Sequence, residues 1–442
     1  MRLFIKLITA ISILRGVILD FKIKSVNARE VLDSRGNPTI SVNLKTKDCC
    51  VSSIVPSGAS TGIHEALELR DNDTRYFGKG VLKAVKNVNS ILAKKLIGLD
   101  CRKQREIDSL LIELDGTKNK SKLGANSILS VSMAVCKAGA FCSDMQLYEY
   151  VQRLSSSKKI LLPVPQMNVI NSGAHAGVDN DIQEHMIMPV NFKNFSDSLR
   201  AGVETYHALK NILKKKYGAK SILLGDEGGF APPITGVEDR LELLMKAIEE
   251  SGYGTKIKIA LDCAASEFYD EKNRKYVISS KVYNQAELID FYRSLAGKFP
   301  IISIEDGFAQ DDWKGWEMMN KELGNKIQIV GDDLLVTNAG RIEKAIGNKS
   351  CNALLLKVNQ IGTVTESLDA ANLSFKNKWN VVVSHRSGDT EDTFIADLAV
   401  GIGATQSKFG APARSERTSK YNRLLKIEGN FGNKAKFAGP LI

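Results

Sequence analysis

The chain has 442 residues, 43% of them hydrophobic and 25% charged, with a formal net charge of +11. That length suits one barrel-sized domain plus a smaller one, and the composition excludes disordered and fibrous classes. The positive charge comes from scattered lysines, the longest run being Lys214-Lys215-Lys216, without arginine–aromatic interleaving, so a nucleic-acid-binding module is disfavoured. The seven cysteines form no CxxC and no zinc spacing, which reads as reduced thiols of a cytoplasmic protein. No P-loop and no dinucleotide fingerprint is present.

Residues 1–20 read as an extension outside the folded chain. A basic start (Arg2, Lys6) precedes an apolar run at 7–14, too short to span a bilayer and followed by no small-residue cleavage site. Val17, read from a GTG start, is a candidate first residue, which would leave the first 16 residues out of the native protein.

Residues 21–26, 39–45 and 50–55 read as strands; in the second, Ile40, Val42 and Leu44 alternate with polar residues, predicting one buried face. Residues 34–38 make the turn. PSGASTG at 56–62 reads as a lid, with Gly58 and Gly62 as hinges and Ser57, Ser60 and Thr61 offering oxygens. Helical spacing follows at 81–96, 105–114 and 126–141, the last rich in small residues and expected to be buried. This α+β unit spans 21–150, and a linker at 151–162 leads to a second domain at 163–442.

That domain opens with candidate strands at 164–168 and 184–188, separated by a loop in which His175 sits among glycines as a mobile cover. Helices at 195–217 and 236–251 flank GDEGGF at 225–230. Two acids among three glycines exceed what a turn needs, so Glu227 is a candidate acid.

Five apolar runs then each end in a charged or polar group: Asp262, Glu305, Asp332, Lys357 and the trio Ser384-His385-Arg386. The charges stand 25 to 43 residues apart, room for one crossover helix in each gap. Continuous apolar runs alternating with helices read as parallel strands buried on both faces. Together with the strands at 164–168, 184–188 and 406–408 they predict an eight-stranded α/β barrel whose strand ends share one pocket. Three converging carboxylates require a cation, and oxygen-only ligation favours Mg²⁺, with Mn²⁺ second. A lysine at the same mouth is a candidate base, its pKa expected to fall beside other positive charge.

The motifs DSRGNPT (33–39), PSGASTG, GDEGGF, IEDG (304–307), GDDL (331–334), LLLKVNQIG (354–362), SHRSG (384–388) and GAPARSER (410–417) resemble those of the enolases, bacterial type, from residue 21 to the end. The resemblance implies an enolase-type barrel behind a smaller N-terminal α+β domain. The activity implied is glycolytic dehydration of 2-phosphoglycerate to phosphoenolpyruvate with two Mg²⁺ per site, through a metal-stabilised ene-diolate. Asp262, Glu305 and Asp332 match the ligands of the tighter ion, and Ser60 a ligand of the second. Lys357 matches the general base and Glu227 the general acid. Arg386 and Ser387 match phosphate binders and Lys408 a carboxylate contact. His175, Gln183, Glu184 and His385 match further substrate-side groups.

His185 stands where the family usually has an aromatic residue. A homodimer or higher homo-oligomer is implied, although the glutamate–arginine link common in similar dimers is replaced by Ser41 and Lys426. Secondary binding to plasminogen or an RNA-decay assembly, and a surface or secreted pool, stay open; the chain ends in Leu441-Ile442 and offers no terminal lysine. Two rival readings are another reaction of the superfamily, such as racemisation, and a binding protein on an inactive scaffold. The first lacks the GDEGGF and SHRSG motifs, and the second expects a missing ligand or base.

Overall fold

The computed structural model describes residues 20–58, 62–173, 177 and 180–439. The expected extension up to residue 19, Ser60 and His175 lie outside them.

Three antiparallel strands open the chain: β1 (Ser25–Leu32), β2 (Pro38–Lys45) and β3 (Cys50–Ile54). The first starts four residues later than expected and runs on to Leu32. On the central β2, Ile40, Val42 and Leu44 are buried as their alternation predicts, but Thr39 and Ser41 on the other face are buried too. Small hydroxylated side chains tolerate this because the backbone takes up their bonds: Thr39 Oγ1 donates to Val55 O at 2.7 Å.

The stretch expected as one helix at 81–96 is α-helical over Leu82–Asn87 and Ala93–Leu96, with a π turn at Val88–Leu92 between. The wider turn keeps Val88, Leu92 and Leu96 on the buried side. The helix Ala125–Cys142 is apolar and long enough to cross a membrane by length and composition, yet most of it is buried inside the protein. Its small residues let two cores share it. Ile128, Val131, Ala134 and Val135 face the three-stranded sheet, while Leu129, Met133, Cys136 and Ala140 face the barrel.

The expected linker begins inside a helix, Leu147–Ser155. Gln146 and Glu149 form its capping box, and Tyr148, Tyr150 and Val151 are buried. A glutamine cap lacks the Ser/Thr signal by which such starts are read.

The second unit is a closed barrel of eight strands: β4 (Val164–Asn171), β5 (Glu184–Pro189), β6 (Ile257–Asp262), then β10 (Ile301–Glu305), β11 (Gln328–Gly331), β12 (Ala353–Leu356), β13 (Asn380–Ser384) and β14 (Gln406–Lys408). A small sheet not foreseen, β7 (Tyr269–Asp270), β8 (Lys275–Ile278) and β9 (Lys281–Tyr283), interrupts the run after β6. Helices Phe195–Tyr217 and Val237–Glu250 both fall between β5 and β6. One consequence decides the site: β5 runs antiparallel to both neighbours, so its first residue, not its last, lies at the end where the others finish.

Candidate active site

Register brings the charges together. β6 ends in Asp262 and β10 in Glu305, paired side by side. Asp332 follows the end of β11, Lys357 that of β12, and His385, Arg386 and Ser387 that of β13; Lys408 closes β14. Glu184, at the reversed start of β5, pairs with Asp262. Gln183, Glu184, Glu227, Asp262, Asp332, Lys357, His385, Arg386, Ser387 and Lys408 line one pocket. Glu305 lies against it, its Oε1 2.8 Å from Lys408 Nζ.

The pocket is an alternation of buried charges. Lys408 Nζ also lies 2.7 Å from Asp262 Oδ2 and 3.2 Å from Glu184 Oε2. Lys357 pairs with Asp332, whose other oxygen accepts from Gln360 Nε2 at 2.8 Å. Burial and then Asp262 push the Glu305 carboxyl well above the usual range; burial and then Glu227 do the same to Glu184.

The expected depression of the Lys357 pKa does not hold. Burial opposes its charge, and Arg386 and Lys408 add to that, but Asp332 outweighs them and the pKa is raised. An anion in direct contact beats more distant cations.

Two acidic trios compete for the description of a metal site. Oxygens of Asp306, Asp332 and Asp333 lie within 4.8 Å of one another. Asp306, however, accepts the backbone N–H groups of Asp332 and Asp333 at 2.9 Å each, bracing the turn that presents Asp332. In the strand-end trio Asp262, Glu305 and Asp332, Glu305 Oε2 is buried with no hydrogen-bond partner among the described residues. A buried carboxyl oxygen left over between two further acids fits a hard divalent cation.

Several neighbours were not legible in the sequence. Asn168 Nδ2 donates to Glu227 Oε2 at 3.0 Å. Arg386 forks onto Glu65, at 2.8 and 3.2 Å, and reaches Asn359 Oδ1 at 3.1 Å. Arg417, fully buried, donates to the carbonyls of Arg386 and Ser387 at 2.6 and 2.7 Å, fixing the turn that carries both. Its position in GAPARSER was the one available signal.

Arg417 also settles a tautomer. It lies 2.6 Å from His385 Nδ1, and a guanidinium can only donate, so the ring proton sits on Nε2, 3.3 Å from Glu227 Oε2. Burial, with Arg417, lowers the His385 pKa to about 4, against the pull of Glu227. Nitrogen-15 NMR of the histidines should therefore show His385 neutral and Nε2-protonated down to about pH 5; a ring titrating near its ordinary value would contradict this. Because its folded pKa lies below the unfolded one, His385 costs stability as pH falls from about 6.5 toward 4.

Comparison with known families decides what this pocket belongs to. The model "Enolase, N-terminal domain" matches residues 23–151, and "Enolase, C-terminal TIM barrel domain" matches residues 159–441.

The chain belongs to the enolase family.

It is 56% identical to the enolase of Thermococcus gammatolerans over 421 residues, 95% of this chain and 97% of that one. It is 54% identical to the enolases of Thermococcus kodakarensis and Pyrococcus furiosus with the same coverage. All three relatives are archaeal, against the bacterial type that the motifs suggest. As an enolase the chain is a phosphopyruvate hydratase, a glycolytic carbon–oxygen lyase, and a divalent metal is its general cofactor.

Proposed function

We propose that this enolase interconverts 2-phosphoglycerate and phosphoenolpyruvate with two Mg²⁺ ions, Asp262, Glu305 and Asp332 holding the tighter one and Ser60 contributing to the second. The observation that carries this reading is the convergence of the three acids at one barrel end, with Glu305 Oε2 unpartnered beside them. When bound, the ions supply the positive charge against which a dianionic ene-diolate can form.

The side chains divide the rest of the work. Lys357 takes the proton beside the substrate carboxylate. Its own proton is held by Asp332, so engaging that carboxylate elsewhere frees the amine to act as a base. Glu184 and Glu227 press each other toward sharing a proton, and Glu227 gives it to the departing hydroxide. Asn168 and the neutral His385 hold Glu227 in place. Arg386 offers a planar fork to the phosphate, with Ser387 beside it. Lys408, Gln183 and His175 complete the substrate contacts.

The working protein is read as a cytoplasmic homodimer or higher homo-oligomer, with 21–150 as the capping domain, 151–162 as linker and 163–442 as the catalytic barrel. Ser41, where similar dimers carry a glutamate, is buried within its own sheet. The direct test follows phosphoenolpyruvate by its ultraviolet absorbance. Product should appear from 2-phosphoglycerate only with Mg²⁺ present; metal-independent turnover, or none with metal, would refute the assignment.

A further inference from the structure

Gln183 and Glu184 line the pocket, but the residues that flank them turn away from it. Along β5 successive side chains alternate. Glu184 points inward to Lys408, and His185 points outward toward the helix Val237–Glu250. Asp181, two residues before Gln183, is buried beside it, and both Asp181 and His185 converge on one side chain of that helix.

That side chain is Arg240, fully buried. Its Nη2 donates to Asp181 Oδ1 at 2.5 Å, its Nε to His185 Nε2 at 3.2 Å and its Nη1 to Ile234 O at 2.7 Å. The second oxygen of Asp181 accepts from Ser172 Oγ at 2.7 Å, at the end of β4. Two branches of the guanidinium are thus spent on the residues that flank Gln183 and Glu184, and the third on a carbonyl of the loop leading into its own helix.

Packing alone does not explain this arrangement. The same helix buries Val237, Leu241, Leu244, Ala247 and Ile248 against the barrel, so an apolar residue at 240 would continue its face. A buried ion pair is a weak source of stability compared with apolar side chains of similar volume. What it does supply is direction, because a fork with three bonds admits one geometry. His185 suits that geometry because burial keeps its ring neutral and able to accept; an aromatic hydrocarbon in its place could not.

We propose that Arg240 is a positioning residue for the reaction: by gripping the chain at Asp181 and His185 it fixes Glu184 against Lys408. This rests on the reading of Glu184 as a substrate-side group. Catalytic geometry is sensitive to displacements of about 1 Å, so a side chain that never touches substrate can still govern turnover.

The test is a double-mutant cycle on the full-length enzyme: Arg240→Met, Glu184→Gln and both together, with kcat, KM and thermal midpoint measured for each. Arg240→Met should lower kcat/KM by roughly 10- to 100-fold at a temperature where circular dichroism shows it folded. In the Glu184→Gln background the same change should add little, because both act through one side chain. Independent, multiplying losses, or a lowered midpoint with kcat/KM intact, would reduce Arg240 to a structural role and overturn the proposal. An unimpaired Glu184→Gln enzyme would instead refute the reading of Glu184, and the proposal with it. Should Arg240→Met fail to fold, Arg240→Lys takes its place. A lysine keeps the charge but loses the planar three-branched fork, so an intermediate kcat/KM is expected and wild-type kcat/KM would overturn the proposal.

Discussion

Lys357→Ala should lower kcat by about 10²–10⁴-fold, the usual cost of removing a general base, while substrate and metal binding stay largely intact. The amine projects from the end of β12 into the pocket and pairs with Asp332. Two measurements separate a lost base from a collapsed site. Exchange of the substrate's carbon-bound proton with deuterated solvent should disappear together with turnover. The thermal midpoint should still rise on adding Mg²⁺, because Asp262 and Glu305 remain and Asp332 keeps its bond from Gln360. Near-normal activity in the variant would remove Lys357 from the base role.

Glu305→Gln is the second large effect, and it should fall on the metal rather than on the proton transfer. The substitution keeps an oxygen for Lys408 and replaces the unpartnered Oε2 by a neutral amide. Loss of even a supporting group around a bound metal costs about 10–100-fold in affinity, and a direct ligand should cost no less. Activity titrated against Mg²⁺ should shift to higher concentration by at least that factor, with the shift confirmed by calorimetric binding of the ion. An unchanged metal requirement would mean that Glu305 is not a ligand.

How far these sites could be read in advance depends on how local their causes are. Asp262, Glu305 and Lys357 were legible because a parallel strand buried on both faces leaves an uninterrupted apolar run, and the first charge after it marks the barrel mouth. Glu184 was not legible in that way. Its strand runs backwards, and an apolar run carries no arrow, so only the motif resemblance connected Glu184 with the pocket. Glu65, Asn359 and Arg417 were missed because no apolar run marks them: a loop far along the chain brings Glu65 to Arg386, while Asn359 and Arg417 stand on the helices Val358–Ile361 and Ser415–Phe431. The direction of the Lys357 shift depends on which charge touches the amine, a matter of contact geometry rather than composition. The helix Leu147–Ser155 was hidden by its glutamine cap.

The helix Ala125–Cys142 has a consequence for how the molecule comes apart. Since one of its sides completes the core of the sheet and another that of the barrel, neither unit possesses a finished interior without it. Cutting the chain after residue 150 would not release an intact catalytic domain; it would strip a wall from the barrel, split the helix Leu147–Ser155 and leave Val151 facing water. Folding of the two units is accordingly coupled through a shared partition, and heating should melt them in a single transition rather than two.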